Sequence, residues 1–294
     1  AYQALAQSLA INQEVFGSQS PEVAEDHRNL GILYFRQLKF EPAKTHFATA
    51  LALDKKLFGA KDTQVAIDLN NLANAFQELG QFLIARSMFQ EALEIDRNIY
   101  GEKSIEAATH LSSLAGVAYR LNELDQAETL YQQALEIRRS QSNQDDSETA
   151  ILYSSLGSVA EGKGEFSTAI DQYQKALKVA IKVFGTNHRY IASIHNLMGN
   201  VYLLSDQYPK AMKAYQEALT IDRAFYQGKA HPSIARDLNN LGTVHEKKKA
   251  YERAVSHYEE ALEILKKLLP PLHPNIKGIE ENIRRVRGYS SQQN

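Results

Sequence analysis

A spacing of 42 residues governs this chain: Leu30, Leu72, Leu114, Leu156 and Met198 fall in one register, and Leu241 follows after one inserted residue. Ala43, Ala85, Ala127, Ala169, Ala211 and Ala254 keep the same register. So do the rings Phe47, Phe89, Tyr131, Tyr173, Tyr215 and Tyr258, and the small residues Ala50, Ala92, Ala134, Ala176, Ala218 and Ala261. A fixed period of this length means one supersecondary unit used over and over, each copy covering the apolar face of the last.

Within a unit, Leu69, Leu72, Ala73 and Phe76 share one helical face, and Ala85, Met88, Phe89, Ala92, Leu93 and Ile95 resume the pattern after Gly80. Two amphipathic helices joined by a tight turn satisfy this spacing. The alanines let helix axes approach, and a ring at Phe76 or Phe89 fills the space that remains. A polar residue and then an aromatic mark most turns (Lys39-Phe40, Gln81-Phe82, Glu165-Phe166, Gln207-Tyr208), with Gly80, Gly164 and Asp206 suited to the turn itself. Gly17, Gly59, Gly101, Gly185 and Gly228 end the second helices; Pro21, Pro232 and Pro274 open first turns, where a missing N–H costs little.

Leu30-Gly31 or Leu72-Ala73, an aromatic three residues on, a turn, then an alanine, a ring and Ala-Leu resemble the tetratricopeptide repeat family. The resemblance covers nearly the whole chain. The unit is longer than that family's usual ~34 residues, and "LNNLA" and "ALEIDR" are similar to the repeats of kinesin light chains and of some bacterial scaffolds. It implies an all-α fold, a right-handed superhelical solenoid of antiparallel helix pairs.

The register predicts a single repeat domain over residues 1–294. Residues 1–21 read as the second helix of a truncated repeat, since Leu9, Ile11 and Phe16-Gly17 match Leu51, Leu53 and Phe58-Gly59. With Ala1 inside a helix register, the sequence reads as a fragment, and the apolar stripe Leu5, Leu9, Ile11 is expected to keep one flank in water. Six full repeats start near 22, 64, 106, 148, 190 and 233, and residues 275–287 form a C-terminal capping helix on Ile276, Ile279, Ile283 and Val286, followed by a frayed tail. The polar stretch 140–148 replaces an aromatic-Gly pair and is expected to make a looser joint.

Composition removes several function classes. Thirty-three basic against 35 acidic residues leave a net charge of −2, so no global field draws nucleic acid or an anionic membrane. Without cysteine there is no disulfide, thiolate nucleophile or thiolate metal site. No apolar run is long enough to span a bilayer and no signal peptide opens the sequence, so the expectation is a soluble, cytoplasmic protein.

Nothing in the sequence makes an active site. Residues 157–164, GSVAEGKG, approach a phosphate-binding loop, but Gly164 stands where the metal-binding hydroxyl belongs and no strand precedes it. His188, His231 and His273 recur at nearly the unit spacing, which places them about 20 Å apart in a stack of helix pairs, too far to share a metal. They read as first-turn residues, and His245 reads as a packed ring. The expectation is no catalytic residue, no metal and no cofactor.

In stacked helix pairs the first helices line the inner face, and their non-core positions meet a bound partner. The candidates are Arg28, Phe35, Arg36, Asn70, Asn74 and Gln77, then Tyr119 and Arg120, then Asn196, Asn200 and Asn239. An asparagine amide donates and accepts, so a row of them holds an extended backbone without reading its side chains. The resemblance to kinesin light chains implies cargo-peptide contacts at such asparagines and an acidic flank met by Arg28, Arg36 and Arg120; Ser112 and Ser154 interrupt the row. Asn29, Asn71 and Asn240, one place later, are expected to bond between adjacent helices. The function expected is a non-enzymatic scaffold or adaptor for a protein or peptide ligand. The alternative is a regulatory or sensory module of a larger enzyme or signalling protein.

Overall fold

In a computed structural model of the protein, residues 1–141 and 146–291 are described. The middle of the polar joint and the last three residues of the tail, with the looseness expected of them, lie outside the described residues; the stretch expected to fray before that is helical through Ser291.

Among the described residues the backbone forms fourteen helices, and contacts divide the chain into two compact units, Ala1–Gln144 and Asp145–Asn294. The first unit holds α1 (Tyr2–Phe16), α2 (Pro21–Arg36), α3 (Phe40–Phe58), α4 (Thr63–Glu78), α5 (Phe82–Tyr100), α6 (Ile105–Arg120) and α7 (Leu124–Gln141). The second holds α8 (Ser147–Gly162), α9 (Phe166–Phe184), α10 (Arg189–Leu204), α11 (Tyr208–Phe225), α12 (Pro232–Lys247), α13 (Tyr251–Leu268) and α14 (Pro274–Ser291). Inside each unit every helix packs on its sequence neighbours, and α2 with α4, like α8 with α10, also meet directly. Short turns make successive helices antiparallel, the layout of a helical-repeat solenoid.

Four pairs, α2/α3, α8/α9, α10/α11 and α12/α13, are joined by a ring pressed on a glycine. A Cβ added at Gly157 would stand 2.5 Å from the Tyr173 ring, and Gly31, Gly199 and Gly242 meet Phe47, Tyr215 and Tyr258 in the same way. Gly157 is therefore a packing residue and not part of a phosphate loop. Ala85, Phe89 and Ala92 are likewise wholly buried.

Every within-pair turn holds one residue in the left-handed region: Leu38, Gly80, Asn122, Gly164, Asp206 and Lys249. The following N–H then reaches back five residues, as from Gln81 to the Phe76 carbonyl at 2.9 Å, which satisfies a helix-end acceptor. Between repeats, Gly17, Gly59, Gly101 and Gly185 combine φ of 76° to 92° with ψ of 161° to 171°, a region essentially closed to side-chain-bearing residues.

The terminal helices differ. α14 buries Ile276, Ile279, Ile283 and Val286 against the preceding pair. α1 has no buried residue; Leu5 and Leu9 are half-buried, whereas Ile11 is 50% and Val15 65% exposed.

Where the end of one second helix meets the next first helix, the core holds carboxyl groups. Asp54 and Asp68 are buried around Arg28, which donates to Asp68 at 2.7 Å and to Asp54 at 2.5 Å. One repeat later the pair is Asp96 with His110, 2.9 Å apart, and in the second unit it is Asp222 with Asp237. Burial pushes the carboxyls of Asp68 and Asp237 up to about 7, against the pull of Arg28 and Arg236, and their acidic neighbours Asp54 and Asp222 push the same way.

Candidate functional site

First helices begin at N-caps that accept backbone N–H groups: Ser20 from Val23, Asp62 from Gln64, Ser104 from Ala107 and Asp146 from Thr149. These caps fix where each first helix starts, and the buried stripe, Val65, Ala66, Leu69, Leu72 and Ala73 on α4, decides which residues face away from the core.

In the first unit α4 carries Asn70, Asn74 and Gln77 at helical spacing on one face. All three are half-buried, and their side chains make no hydrogen bond among the described residues. The Asn70 Oδ1 atom is fully buried without a donor. The register sets Phe35 and Tyr119 beside Gln77 on α2 and α6, and Arg36 and Arg120 one residue further. Phe35 meets Phe40 edge-on at 5.3 Å. Arg36 is exposed, and the exposed Arg120 lies 5.2 Å from the centre of the Phe82 ring. The amide row, between rings and two guanidinium groups, presents hydrogen-bond donors and acceptors that the fold does not use.

Arg28 departs from the expectation. It is no free cation for an acidic ligand, because both its bonds go to Asp54 and Asp68 and its side chain is only 15% exposed. The sequence places it in the column of Asn70, but a buried carboxyl pair beneath claims its charge.

In the second unit Asn196 is also structural. Its Nδ2 donates to the Ala192 carbonyl at 3.1 Å and to Asp237 at 2.8 Å, and its Oδ1 accepts from Asn240 at 3.0 Å, so this buried amide has nothing left for a ligand. Asn240 thus bonds between adjacent first helices, whereas Asn29 and Asn71 form no such bond among the described residues. Asn200 accepts from the Tyr215 hydroxyl at 2.7 Å and Asn239 from Asn282 at 3.2 Å; each Nδ2 remains available. Arg28 and Asn196 are therefore fully engaged, Asn200 and Asn239 are engaged at one atom each, and Asn70, Asn74 and Gln77 in the first unit have no side-chain partner among the described residues.

The histidines cap and stack. The backbone N–H groups of Tyr190, Ser233 and Asn275 donate to Nδ1 of His188, His231 and His273 at 3.2, 3.1 and 3.2 Å. His245 is buried and stacks on His257 at 5.2 Å. The cap function was legible only by aligning these histidines with Ser20, Asp62, Ser104 and Asp146. Among the described residues no group of three or more His, Cys, Asp or Glu side chains is placed to hold a metal ion, and no helix is long and apolar enough to cross a membrane.

A stack of ring-on-glycine helix pairs with a polar row along its first helices defines a helical-repeat protein built to present a surface. The pattern described as Tetratricopeptide repeat matches residues 1–56, 64–140 and 148–224, and a second pattern of the same description matches 238–275. The chain belongs to the tetratricopeptide repeat family. No curated protein matches it in sequence. Among solved structures it is similar to BtubC (BKLC) from P. vanneervenii, with TM-score 0.64, 20% identity, and coverage of 90% of this chain and 92% of that one. It is also similar to a putative kinesin light chain of Podosopora anserina with nearly identical repeats (TM-score 0.58, 14% identity, 70% of this chain and 98% of that one). A Rap protein, solved in complex with Competence and Sporulation Factor, is a third (TM-score 0.63, 16% identity, 97% and 80%). At such identities the likeness is one of fold. Repeats of this family are protein-interaction modules, and none of the matches indicates an enzymatic family.

Proposed function

We propose that the protein is a non-enzymatic scaffold or adaptor that holds an extended or helical segment of a partner protein on the first-helix face, centred on α4. The observation that carries this reading is the row Asn70, Asn74 and Gln77, half-buried amides with no internal partner, one of them with a fully buried acceptor. A buried polar atom left unpaired costs on the order of 1–3 kcal/mol, which a ligand N–H would recover. Arg36 and Arg120 support an acidic flank on that segment, Arg28 having been withdrawn from the role. The 42-residue register continues from Ile105 to Ser147 across the undescribed joint, which supports one repeat domain for the whole chain.

The test is a peptide-display selection on the native protein, followed by titration of the selected peptides against Asn70→Ala/Asn74→Ala. The expected result is a loss of at least about tenfold in affinity with an unchanged melting temperature, and a further loss as salt rises. Undiminished binding to the double variant refutes the α4-centred reading.

A further inference from the structure

The second unit contains a cavity of about 350 Å³ at the joint where α9 passes into α10 and α11 into α12. Its walls are two stacked ring pairs. Phe184 lies on His188 with centroids 4.4 Å apart, and Tyr226 lies on His231 at 3.5 Å. Phe225 bridges the pairs edge-on, 5.8 Å from His188 and 5.1 Å from Tyr226, and Tyr190 meets Phe184 at 6.1 Å. The histidines cannot turn freely, because each Nδ1 accepts the cap bond of its helix. That bond also requires an unprotonated Nδ1, so the ring proton of the neutral imidazole sits on Nε2 as a donor.

Arg189 lines the same cavity. It is exposed, forms no ion pair among the described residues, and is the first residue of α10, whose first turn has no acidic residue. A cation there faces the positive end of the helix, where an anion belongs. Glu22, Glu106 and Glu148 occupy first turns in other repeats. The nearby carboxylates Glu148, which acts on Tyr190, and Asp222, which acts on His231 and at longer range on Arg189, do not line the cavity. An unfavourably placed guanidinium beside a box of fixed rings is arranged for a flat ligand that brings a negative charge.

We propose that this cavity binds an aromatic ring bearing a carboxylate, the ring between the Phe184–His188 and Tyr226–His231 walls and the carboxylate on the Arg189 guanidinium. A volume near 350 Å³ lies at the small end of ligand sites and suits a single aryl group with its acid. A cationic ring ligand is disfavoured by Arg189, and a neutral one gains nothing from its charge. Such a group is either a free arylacetate or the C-terminal aromatic residue of a peptide. This site is separate from the α4 row.

The full chain is titrated by calorimetry with phenylacetate, phenylacetamide, acetate and a short peptide ending in free-carboxylate phenylalanine. Saturable binding of phenylacetate or of the peptide, with phenylacetamide and acetate at least about tenfold weaker, is the expected result, and whichever of the two binds tighter names the source. Arg189→Gln removes the preference for the acid over the amide while leaving the melting temperature unchanged or higher, which a structural role for Arg189 does not do. Tyr226→Leu weakens both. Equal binding of acid and amide, no saturable binding of either acid, or an unaltered preference in Arg189→Gln overturns the proposal.

Discussion

Replacing Asp237 by Asn tests the buried carboxyl pairs. Asp237 is wholly buried on α12; its Oδ1 accepts from Asn196 and from Arg236, and its Oδ2 is buried without a partner beside Asp222. Its folded value of about 7 stands above the unfolded carboxylate value of about 3.9. Between the two, the folded chain holds a proton that the unfolded chain does not. The stabilisation is complete below the unfolded value and is lost as pH rises through about 7. At ~1.4 kcal/mol per pH unit the gap is worth at most about 4 kcal/mol, of which more than half falls between about pH 5 and about pH 8. The buried His245 and the half-buried His195 and His257, held below their usual value by desolvation, push stability the other way. The quantity to read is therefore the difference between native and variant, from urea unfolding at each pH. Asparagine keeps the acceptor at Oδ1 and sets an N–H₂ toward Asp222, so Asp237→Asn equals the native chain near pH 5 and exceeds it by about 1–3 kcal/mol near pH 8. A difference that is flat with pH, or that favours the native chain at high pH, refutes a protonated Asp237.

Gly101→Ala costs about 1–3 kcal/mol in thermal unfolding even though a Cβ there would touch nothing, since the cost is in the backbone at φ 92° and ψ 164°. Leu38→Gly stabilises by about 1 kcal/mol, because Leu38 holds φ 59° while 75% exposed; a melting temperature that falls would show that its side chain has a packing role. Arg28→Met costs about 3 kcal/mol or more by leaving Asp54 and Asp68 without their counter-charge, whereas a groove residue would leave stability unchanged. Ala127→Leu destabilises by about 1–3 kcal/mol through overpacking of a fully buried site, measured by denaturant midpoint.

The repeat fold was legible because helix packing writes itself into columns: Gly at 31 and 157 faces a ring at 47 and 173, and Ala73 and Phe89 keep the same two columns. The candidate site was legible only in part. Arg28, Asn70 and Asn196 occupy one column and one helix face, and a sequence reading treats them alike. What separates them lies one layer down, at 68 and 237, where an acid reaches up to Arg28 or accepts from Asn196, while Asn70 is left with an unpaired oxygen.

Those acids escape a hydrophobicity pattern because a carboxylate ordinarily marks the wet side of a helix. Asp54, Asp96 and Asp222 share one register, and Asp68, His110 and Asp237 share the next helix's, so their pairing becomes visible only when two consecutive repeats are superposed and read across the joint. The same comparison explains the cavity near α10. Ser, Asp, Ser and Asp cap four first helices, and histidine caps the two at 188 and 231. Imidazole caps as a hydroxyl or carboxylate does, but it also carries a ring, and the preceding helices end in Phe184 and Phe225. A histidine at the cap thus adds an aromatic wall at two successive joints, while Tyr190 takes the first-turn place that Glu22, Glu106 and Glu148 hold, with Arg189 beside it. The repeat supplies the position, and its departures from the pattern supply the chemistry.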